Sequence, residues 1–292
     1  MFRFLLIVLL FGCYFTGNCQ VYSKKKVSAS SDYILSKNYD LPDELAESSG
    51  IIIYDSLIWT FNDSGGKPVI YGLLPESGKI VRTVEIMNGT NKDWEDIAQN
   101  KKYIFIGDFG NNDGSRKDLK IYLIPKESIN KNPSQSINAG ILDYKYEDQA
   151  DFTPALYANP FDCEAMIATD DSVYVFTKDW LNLKTSIYSL PAIEGKVMAK
   201  HIKDFDSDGL ITGADLNPEN GRLILCGYNL FYPIIILIDN PFSMNVLKTI
   251  ELEEISGAQV EGITSYGNNK YFFTNEKSSI PQSLHKIIIN QN

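Results

Sequence analysis

One stretch of the sequence decides the fold: it reads Trp94-Glu95-Asp96-Ile97-Ala98 and, after a short turn, Tyr103-Ile104-Phe105-Ile106-Gly107-Asp108. The first run carries carboxylates and then becomes apolar, whereas the second is β-branched and aromatic and ends in a polar residue. Runs of this composition, separated by a turn, are typical of two adjacent β-strands. The same pattern recurs along the chain.

The recurring units open on a carboxylate followed by an apolar run. The further openings are Cys163-Glu164-Ala165-Met166-Ile167, Gly213-Ala214-Asp215-Leu216, Val260-Glu261-Gly262-Ile263 and an earlier copy at Ser48-Ser49-Gly50-Ile51, whose carboxylate is Glu47. The starts near residues 48, 94, 163, 213 and 260 are 46, 69, 50 and 47 residues apart. A second, a third and a fourth apolar run follow the opening in most units.

Four strands in a unit of about 45 residues are the pattern of a β-propeller. We therefore predict an all-β fold, a propeller of four-stranded blades. Five blades account for the five openings, and six is the alternative if the long interval hides a further blade. The last unit lacks a fourth strand, which the run Tyr33-Ile34-Leu35 supplies, so that an N-terminal strand closes the ring.

The composition is that of a globular protein, with 44% hydrophobic and 22% charged residues among 292. We expect a single propeller domain over residues 20–292 and a monomer. The formal net charge of -10 disfavours nucleic acid as a partner, because an acidic surface repels phosphate. The same charge suits a divalent cation or a cationic ligand, or serves solubility alone.

The N-terminal segment predicts export. A basic start is followed by the apolar run Phe4 to Phe11, which is too short to span a bilayer and is typical of a signal peptide over residues 1–19. An alternative is a lipid anchor on Cys13. The expected location is periplasmic or extracellular, or the cell surface for a lipoprotein, with no transmembrane segment. Cys163 and Cys226 remain in the mature chain, either as a disulfide or as two buried thiols.

The register of the repeat predicts a site. In a propeller the inner strand of each blade starts on the face where the second strand ends, so two sets of polar residues are expected around one mouth of the channel. The first set is Glu47, Glu95, Glu164, Asp215 and Glu261, and the second is Asn62, Asp63, Asp108, Lys178, Tyr228, Asn275 and Glu276. Such a group suits a hard cation or a polyhydroxylated ligand. The alternative is structural use, because carboxylates also cap turns.

A second candidate site is a local motif. The run from Asp204 to Asp215 places carboxylates at Asp204, Asp206, Asp208 and Asp215, with Gly209 between them, and thereby matches the spacing of a calcium loop. The last position is Asp instead of the longer Glu, and flanking helices are absent from the pattern. An acidic turn between blades is the alternative interpretation.

A resemblance to known proteins rests on several phrases together. Trp59-Thr60-Phe61-Asn62-Asp63-Ser64-Gly65, Asp93-Trp94-Glu95-Asp96-Ile97-Ala98, Ile106-Gly107-Asp108-Phe109-Gly110-Asn111-Asn112, Cys163-Glu164-Ala165-Met166 and Thr212-Gly213-Ala214-Asp215 resemble those of uncharacterised exported bacterial β-propeller proteins. The likeness covers roughly residues 40 to 290. More distantly the chain is similar to esterase-like phytase and calcium-dependent gluconolactonase propellers, whose metal site Glu47, Glu95, Asn62 and Glu164 imitate only loosely.

Two functions from different classes are compatible with these residues. The first is a binding propeller that recognises a glycan, peptide or small molecule through the acidic mouth, with calcium as its candidate cofactor. The second is a metal-dependent hydrolase of an ester, lactone or phosphate. His201 and His285 have no metal-ligand spacing to another His or Cys, and the sequence carries no Gly-x-Ser-x-Gly elbow. The binding function is therefore favoured, and whether the protein is an enzyme stays open.

Overall fold

The structure is a computed structural model that describes residues 27–29 and 32–290. The predicted signal peptide and the candidate lipid anchor at Cys13 lie outside these residues. The described chain consists of strands, turns and three single-turn 3-10 helices at Asp43–Leu45, Lys126–Ser128 and Glu253–Ile255. In this part of the chain no helix is long and apolar enough to cross a membrane.

The strands form five antiparallel groups of four, which we call blades 1 to 5. The first strands among the described residues are β1 (Val27–Ala29) and β2 (Tyr33–Asp40). Blade 1 contains β3 (Ser48–Tyr54), β4 (Leu57–Asn62), β5 (Val69–Leu73) and β6 (Ile80–Ile86). Blade 2 contains β7 (Trp94–Gln99), β8 (Tyr103–Asp108), β9 (Lys120–Pro125) and, after β10 (Ser134–Ile137), β11 (Gly140–Tyr146).

The later blades follow the same order. Blade 3 contains β12 (Asp162–Ala168), β13 (Ser172–Lys178), β14 (Thr185–Pro191) and β15 (Gly195–Phe205). Blade 4 contains β16 (Leu210–Leu216), β17 (Leu223–Asn229), β18 (Tyr232–Ile238) and β19 (Val246–Glu251). Blade 5 contains β20 (Val260–Ser265), β21 (Lys270–Asn275), β22 (Ser283–Ile289) and β2, with β1 outside it.

The blades surround a central channel. The inner strands contact one another in the order β3, β7, β12, β16 and β20, and β20 contacts β3 again. Ring closure is non-local, because β2 pairs with β22 and thus joins the two ends of the chain in blade 5. The predicted all-β propeller closed by an N-terminal strand is confirmed.

The long interval of the repeat has a structural explanation. Between β9 and β11 the chain leaves blade 2, and β10 pairs in parallel with β6 as a fifth strand of blade 1. The returning β11 completes blade 2 and pairs in parallel with β15 of blade 3. The described part of the interval therefore adds an edge strand and a bridge between blades, and it contains no further four-stranded blade.

The hydrophobic core lies between the blades. Five clusters of buried apolar side chains occupy the five interfaces between neighbouring blades. In the interface of blades 1 and 2, Trp94 is fully buried and packs edge-on against Phe61 with ring centroids 5.3 Å apart. Cys163 and Cys226 are buried free thiols, so the second of the two cysteine alternatives applies.

Candidate functional site

The strand register brings two sets of residues to one mouth of the channel. In each blade the start of the inner strand pairs with the end of the second strand. The pairs are Ser48 with Asn62, Trp94 with Asp108, Asp162 with Lys178, Leu210 with Tyr228, and Val260 with Asn275. We call this mouth the funnel. Its charged and phenolic side chains are Glu47, Asp63, Asp93, Glu95, Glu164, Lys178, Tyr228, Glu261 and Glu276.

Each inner strand is bulged at the same place, shortly after its start. The pairing slips between Ser48 and Ile51, Trp94 and Ile97, Cys163 and Ala165, Ile211 and Gly213, and Val260 and Gly262. A β-bulge adds a residue to one strand and re-aims its side chain. The bulges hold Ser49, Glu95, Glu164, Thr212 and Glu261, so that three carboxylates and two hydroxyls form a polar ring at one level of the channel.

The two hydroxyls of this ring connect neighbouring inner strands. The hydroxyl of Ser49 donates to the backbone carbonyl of Glu95, and the hydroxyl of Thr212 donates to that of Val260 at 2.5 Å. Both side chains are buried. They hold inner strands together, whereas the three glutamates supply the charge of the ring.

Next to Glu95 in β7, Asp96 is a buried carboxylate that links two inner strands. Its two carboxylate oxygens accept hydrogen bonds from the backbone N–H groups of Ile97 at 2.8 Å and Met166 at 2.7 Å. A Cβ atom on Gly50 would lie 2.4 Å from the Asp96 carboxylate, so glycine is required there for close approach. The corresponding residues of the other inner strands are Ala165, Gly213 and Gly262, whose small size lets the strands converge.

Three carboxylates of the funnel form a tight cluster, the Asp63–Asp93–Glu95 cluster. One carboxylate oxygen from each lies within 4.8 Å of those of the other two, and these three form the only such group among the described His, Cys, Asp and Glu residues. Burial and the neighbouring carboxylates raise the pKa of Glu95 and of Asp63 well above the usual range. Burial raises the pKa of Asp93 to about 6, although the nearby Arg116 opposes the shift.

The opposite wall of the funnel carries its lysine. The ammonium of Lys178 lies 2.8 Å from Glu164 Oε1, and both residues are buried. The same ammonium lies 4.6 Å from the ring centroid of Trp180 and 5.9 Å from that of Tyr228. Trp180 in turn packs against Tyr157 with centroids 4.6 Å apart. This wall is therefore aromatic as well as charged.

Burial is the largest influence on the pKa values of the funnel acids, and the neighbouring carboxylates add to it. Burial and the approach of Glu276 raise the pKa of Glu261 to about 8. Burial and the neighbouring carboxylates likewise raise the pKa of Glu276. Burial alone would lower the pKa of Lys178, but the surrounding carboxylates, Glu164 foremost, raise it. A negative potential retains protons on acids and bases alike, so the funnel attracts positive charge.

Three predicted residues of the second strands have structural partners instead. Asn62 accepts from the N–H of Glu47 and donates to the carbonyl of Glu44. Asn275 donates to the carbonyls of Glu276 and Pro281 and contacts the ring of His285 at 2.8 Å. Asp108 accepts from the buried Arg116 guanidinium at 2.8 Å. These side chains fix the walls of the funnel.

Asp215 does not lie at the funnel, and this part of the prediction is wrong. It is the sixth residue of β16, near the other end of the channel, where its carboxylate accepts the N–H of Ser265 at 2.8 Å. The bulge residue of β16 is Thr212. The carboxylates of the units do not all lie at one level, whereas the small residues Gly50, Gly213 and Gly262 share the position that follows each bulge residue.

The calcium-loop motif is not assembled as a site. Asp204 lies near the end of the outer strand β15. There its carboxylate accepts a hydrogen bond from the hydroxyl of Ser186 at 2.9 Å and contacts His201 Nε2 at 2.9 Å. Asp215 is turned toward Ser265, a strand length beyond the loop. Asp206 and Asp208 are exposed. The separate anchoring of Asp204 and Asp215 removes the convergence that calcium coordination requires.

Sequence reasoning missed Asp93 and Asp96 and placed Arg116 only in a polar loop on the funnel face. Asp93 precedes the repeat opening by one residue, so the alignment of strands excluded it. Asp96 stands where the other units have glycine or alanine, and that contrast was the available signal. Arg116 belongs to a loop whose fold is not evident from the repeat.

Comparisons with known proteins concern the fold alone. No protein-family model and no curated protein sequence matches this chain. Among solved structures, the chain is similar to the PQQ-bound aldose sugar dehydrogenase of Streptomyces coelicolor, with a TM-score of 0.49 and 7% identity over 90% of this chain and 100% of that one.

Two other solved structures show a likeness of the same order. One is a glucose dehydrogenase, with a TM-score of 0.48 and 6% identity over 88% of this chain and 99% of that one. The other is a chain of a nidogen/laminin complex, with a TM-score of 0.45 and 13% identity over 91% and 98%. Likeness at this level carries no argument about activity, ligand or export.

Proposed function

We propose that the protein is a binding propeller whose funnel receives a positively charged group of a ligand or partner. The observation that carries this proposal is the excess of buried carboxylates over cations at the mouth. Lys178 is paired with Glu164, and the guanidinium of Arg116 is engaged by Asp108. A cation that enters the funnel relieves the repulsion among the remaining carboxylates.

The surroundings of the funnel support an organic cation with an apolar or aromatic part. Tyr157, Trp180 and Tyr228 line the wall beside Lys178. The turns at the same mouth expose Leu181 and Phe231, which are 64% and 67% exposed. Faces of aromatic rings attract cations, and exposed apolar side chains at a rim suit a partner's hydrophobic residues. A basic segment of a peptide or protein has both features.

The experiment is a binding titration with a defined peptide. A fluorescent peptide of alternating lysine and phenylalanine is titrated with the full chain, and fluorescence anisotropy is followed at low and at physiological ionic strength. The matched peptide carries glutamate in place of lysine. We expect binding of the lysine peptide alone and a weaker affinity at the higher salt concentration, because salt screens the attraction.

A variant with two funnel acids that cannot ionise beside a bound cation tests whether the funnel is the binding site. The double change Glu261→Gln and Glu276→Gln is expected to lower the affinity about tenfold, equivalent to about 1.4 kcal/mol. Glu219→Gln, an exposed position away from the funnel, is the matched control. Equal binding of both peptides, or an unchanged affinity in the double variant, contradicts the proposal. Exclusive binding of neutral oligosaccharides would replace it.

The metal-dependent hydrolase hypothesis has less support among the described residues. His285 is buried against Asn275, and His201 contacts Asp204 on an outer strand, so neither imidazole reaches the funnel. Export of the chain, which the predicted signal peptide implies, is part of the proposal and agrees with a partner outside the cytoplasm.

A further inference from the structure

We propose that the Asp63–Asp93–Glu95 cluster is a binding site for one hard divalent cation of the calcium type. This inference deepens the proposed function, since the cluster is part of the funnel. Only the biological role of the bound cation rests on the proposed function. It differs from the Asp204–Asp215 motif in every ligand and in its place in the fold.

The backbone positions all three carboxylates before any ion binds. Asp63 follows β4 directly, and its N–H donates to the carbonyl of Glu47 at 2.9 Å while its own carbonyl accepts from Trp94 at 3.0 Å. The carbonyl of Asp93 accepts from Phe109 at 3.1 Å and from Gly110 at 3.2 Å. Glu95 occupies the bulge of β7. The ligands therefore belong to a rigid part of two blades.

The cluster also contains polar atoms whose hydrogen-bonding capacity is unused. Glu95 is only 7% exposed, and its carboxylate makes no hydrogen bond to any residue that the structure describes. Asp63 Oδ1 is buried and likewise has no partner among the described residues. Buried carboxylates of ordinary structural use are hydrogen-bonded, as Asp96 is. A cation among these facing oxygens would give the buried Asp63 Oδ1 the partner that the described residues do not supply.

Protein cations compensate this cluster poorly. Arg116 Nη1 lies 4.0 Å from Asp93 Oδ2, while its Nη1 also donates to the carbonyl of Gly110 and its Nη2 to Asp108. A Cβ atom on residue 110 would lie 2.1 Å from Glu95 Oε1 and 2.5 Å from Asp93 Oδ2. Glycine at this position therefore leaves space beside the carboxylates.

The chemistry of the donors selects the cation. Calcium is bound by oxygen ligands at about 2.3–2.6 Å, so two ligands on opposite sides of one ion lie roughly 5 Å apart. The observed separations within 4.8 Å satisfy this limit. The cluster contains no histidine or cysteine, and carboxylate-only sites favour calcium, magnesium or manganese over zinc.

Calorimetric titration of the chelator-treated full chain with calcium chloride tests the inference. We expect one bound ion per chain. Asp93→Asn should weaken binding at least tenfold, since it removes one of three charged ligands, whereas the exposed control Asp206→Asn should leave the affinity unchanged. Terbium luminescence sensitised by the adjacent Trp94, and its displacement by calcium, provides a second readout. Circular dichroism verifies that each variant is folded.

The outcomes separate this inference from the proposed function. The cation-site inference is overturned if calcium gives no heat of binding and terbium gives no sensitised luminescence. Unchanged calcium affinity in Asp93→Asn overturns it as well. Loss of calcium binding in Asp206→Asn transfers the ion to the loop and also overturns it. Peptide binding in the presence of chelator tests the proposed function alone. Preference for zinc over calcium contradicts the assigned chemistry.

Discussion

The centre of the channel and the funnel above it both hold buried carboxylates, and the two regions differ in what those carboxylates contact. At the centre, Asp96 accepts two backbone N–H groups and joins β7 to β12. Glu95 precedes Asp96 in sequence and lies in the funnel, where the carboxylate of Glu95 meets mainly other carboxylates. Burial alone therefore does not reveal the role of an acidic residue. The hydrogen-bond partners distinguish a structural carboxylate from a candidate ligand.

The largest effect is expected from Asp96→Ala. The change leaves the N–H groups of Ile97 and Met166 buried without an acceptor, at a cost of about 1–3 kcal/mol each. We expect the free energy of unfolding to fall by about 4 kcal/mol, measured by urea denaturation. A loss below about 1 kcal/mol would show that the channel centre does not depend on this carboxylate, and the contrast with Glu95 would then disappear.

A pH-dependent effect is expected at Asp215, a half-buried acid near the other end of the channel. Burial raises its pKa from 3.8 to about 6, so the folded state binds its proton more tightly than the unfolded state does. The contribution of this group to stability therefore decreases as the pH rises from about 4 to about 6. The total is about 3 kcal/mol, since each pKa unit corresponds to about 1.4 kcal/mol.

Asp215→Asn should abolish this contribution. The difference in unfolding free energy between the variant and the natural chain is expected to grow in favour of the variant across that pH range, as measured by denaturant titration at several pH values. Asp206→Asn, at an exposed position, is the control. A constant difference between the two chains at every pH would contradict the prediction.

The smallest effect is expected from Glu95→Gln in the metal-free protein. Glutamine avoids the cost of either burying the Glu95 charge or protonating it against its ordinary pKa, so the free energy of unfolding should rise by about 1–2 kcal/mol at neutral pH. The same variant should lose the stabilisation that calcium confers on the natural chain. Thermal unfolding with chelator and with calcium measures both effects. Destabilisation in chelator would mean that Glu95 already has a favourable structural partner.

Much of the fold and part of the funnel were predictable from sequence. The repeat of apolar runs is visible in the local sequence, because each run contains the residues that its strand buries. This repeat predicts the propeller and its N-terminal closing strand. Glu95, Glu164 and Glu261 were placed at the mouth because they recur at a fixed distance from each strand start. Their shared position on a bulge was not predictable, since the pairing register depends on the neighbouring strand.

The missed residues depend on non-local contacts. Asp93 lies in a loop before β7, and its approach to Asp63 follows from hydrogen bonds between blades 1 and 2. The pairing of β10 with blade 1 could likewise not be predicted from the sequence, because the pairing of an edge strand is formed by backbone groups that any sequence supplies. Asp215 is an error of the opposite kind: it is a carboxylate of the repeat that was predicted at the funnel, but it lies near the other end of the channel.

The pairing of β2 with β22 has a consequence for how the chain folds. Tyr33 lies opposite Ile289, so blade 5 needs both ends of the chain, and its ladder encloses a loop of roughly 250 residues. Contacts of such sequence separation slow folding, because the entropy of loop closure is lost before they form. The ring can thus close only after the last strand has been synthesised. Before β20 has been synthesised, the inner strand β3 lacks its neighbour on one side, and the funnel is incomplete.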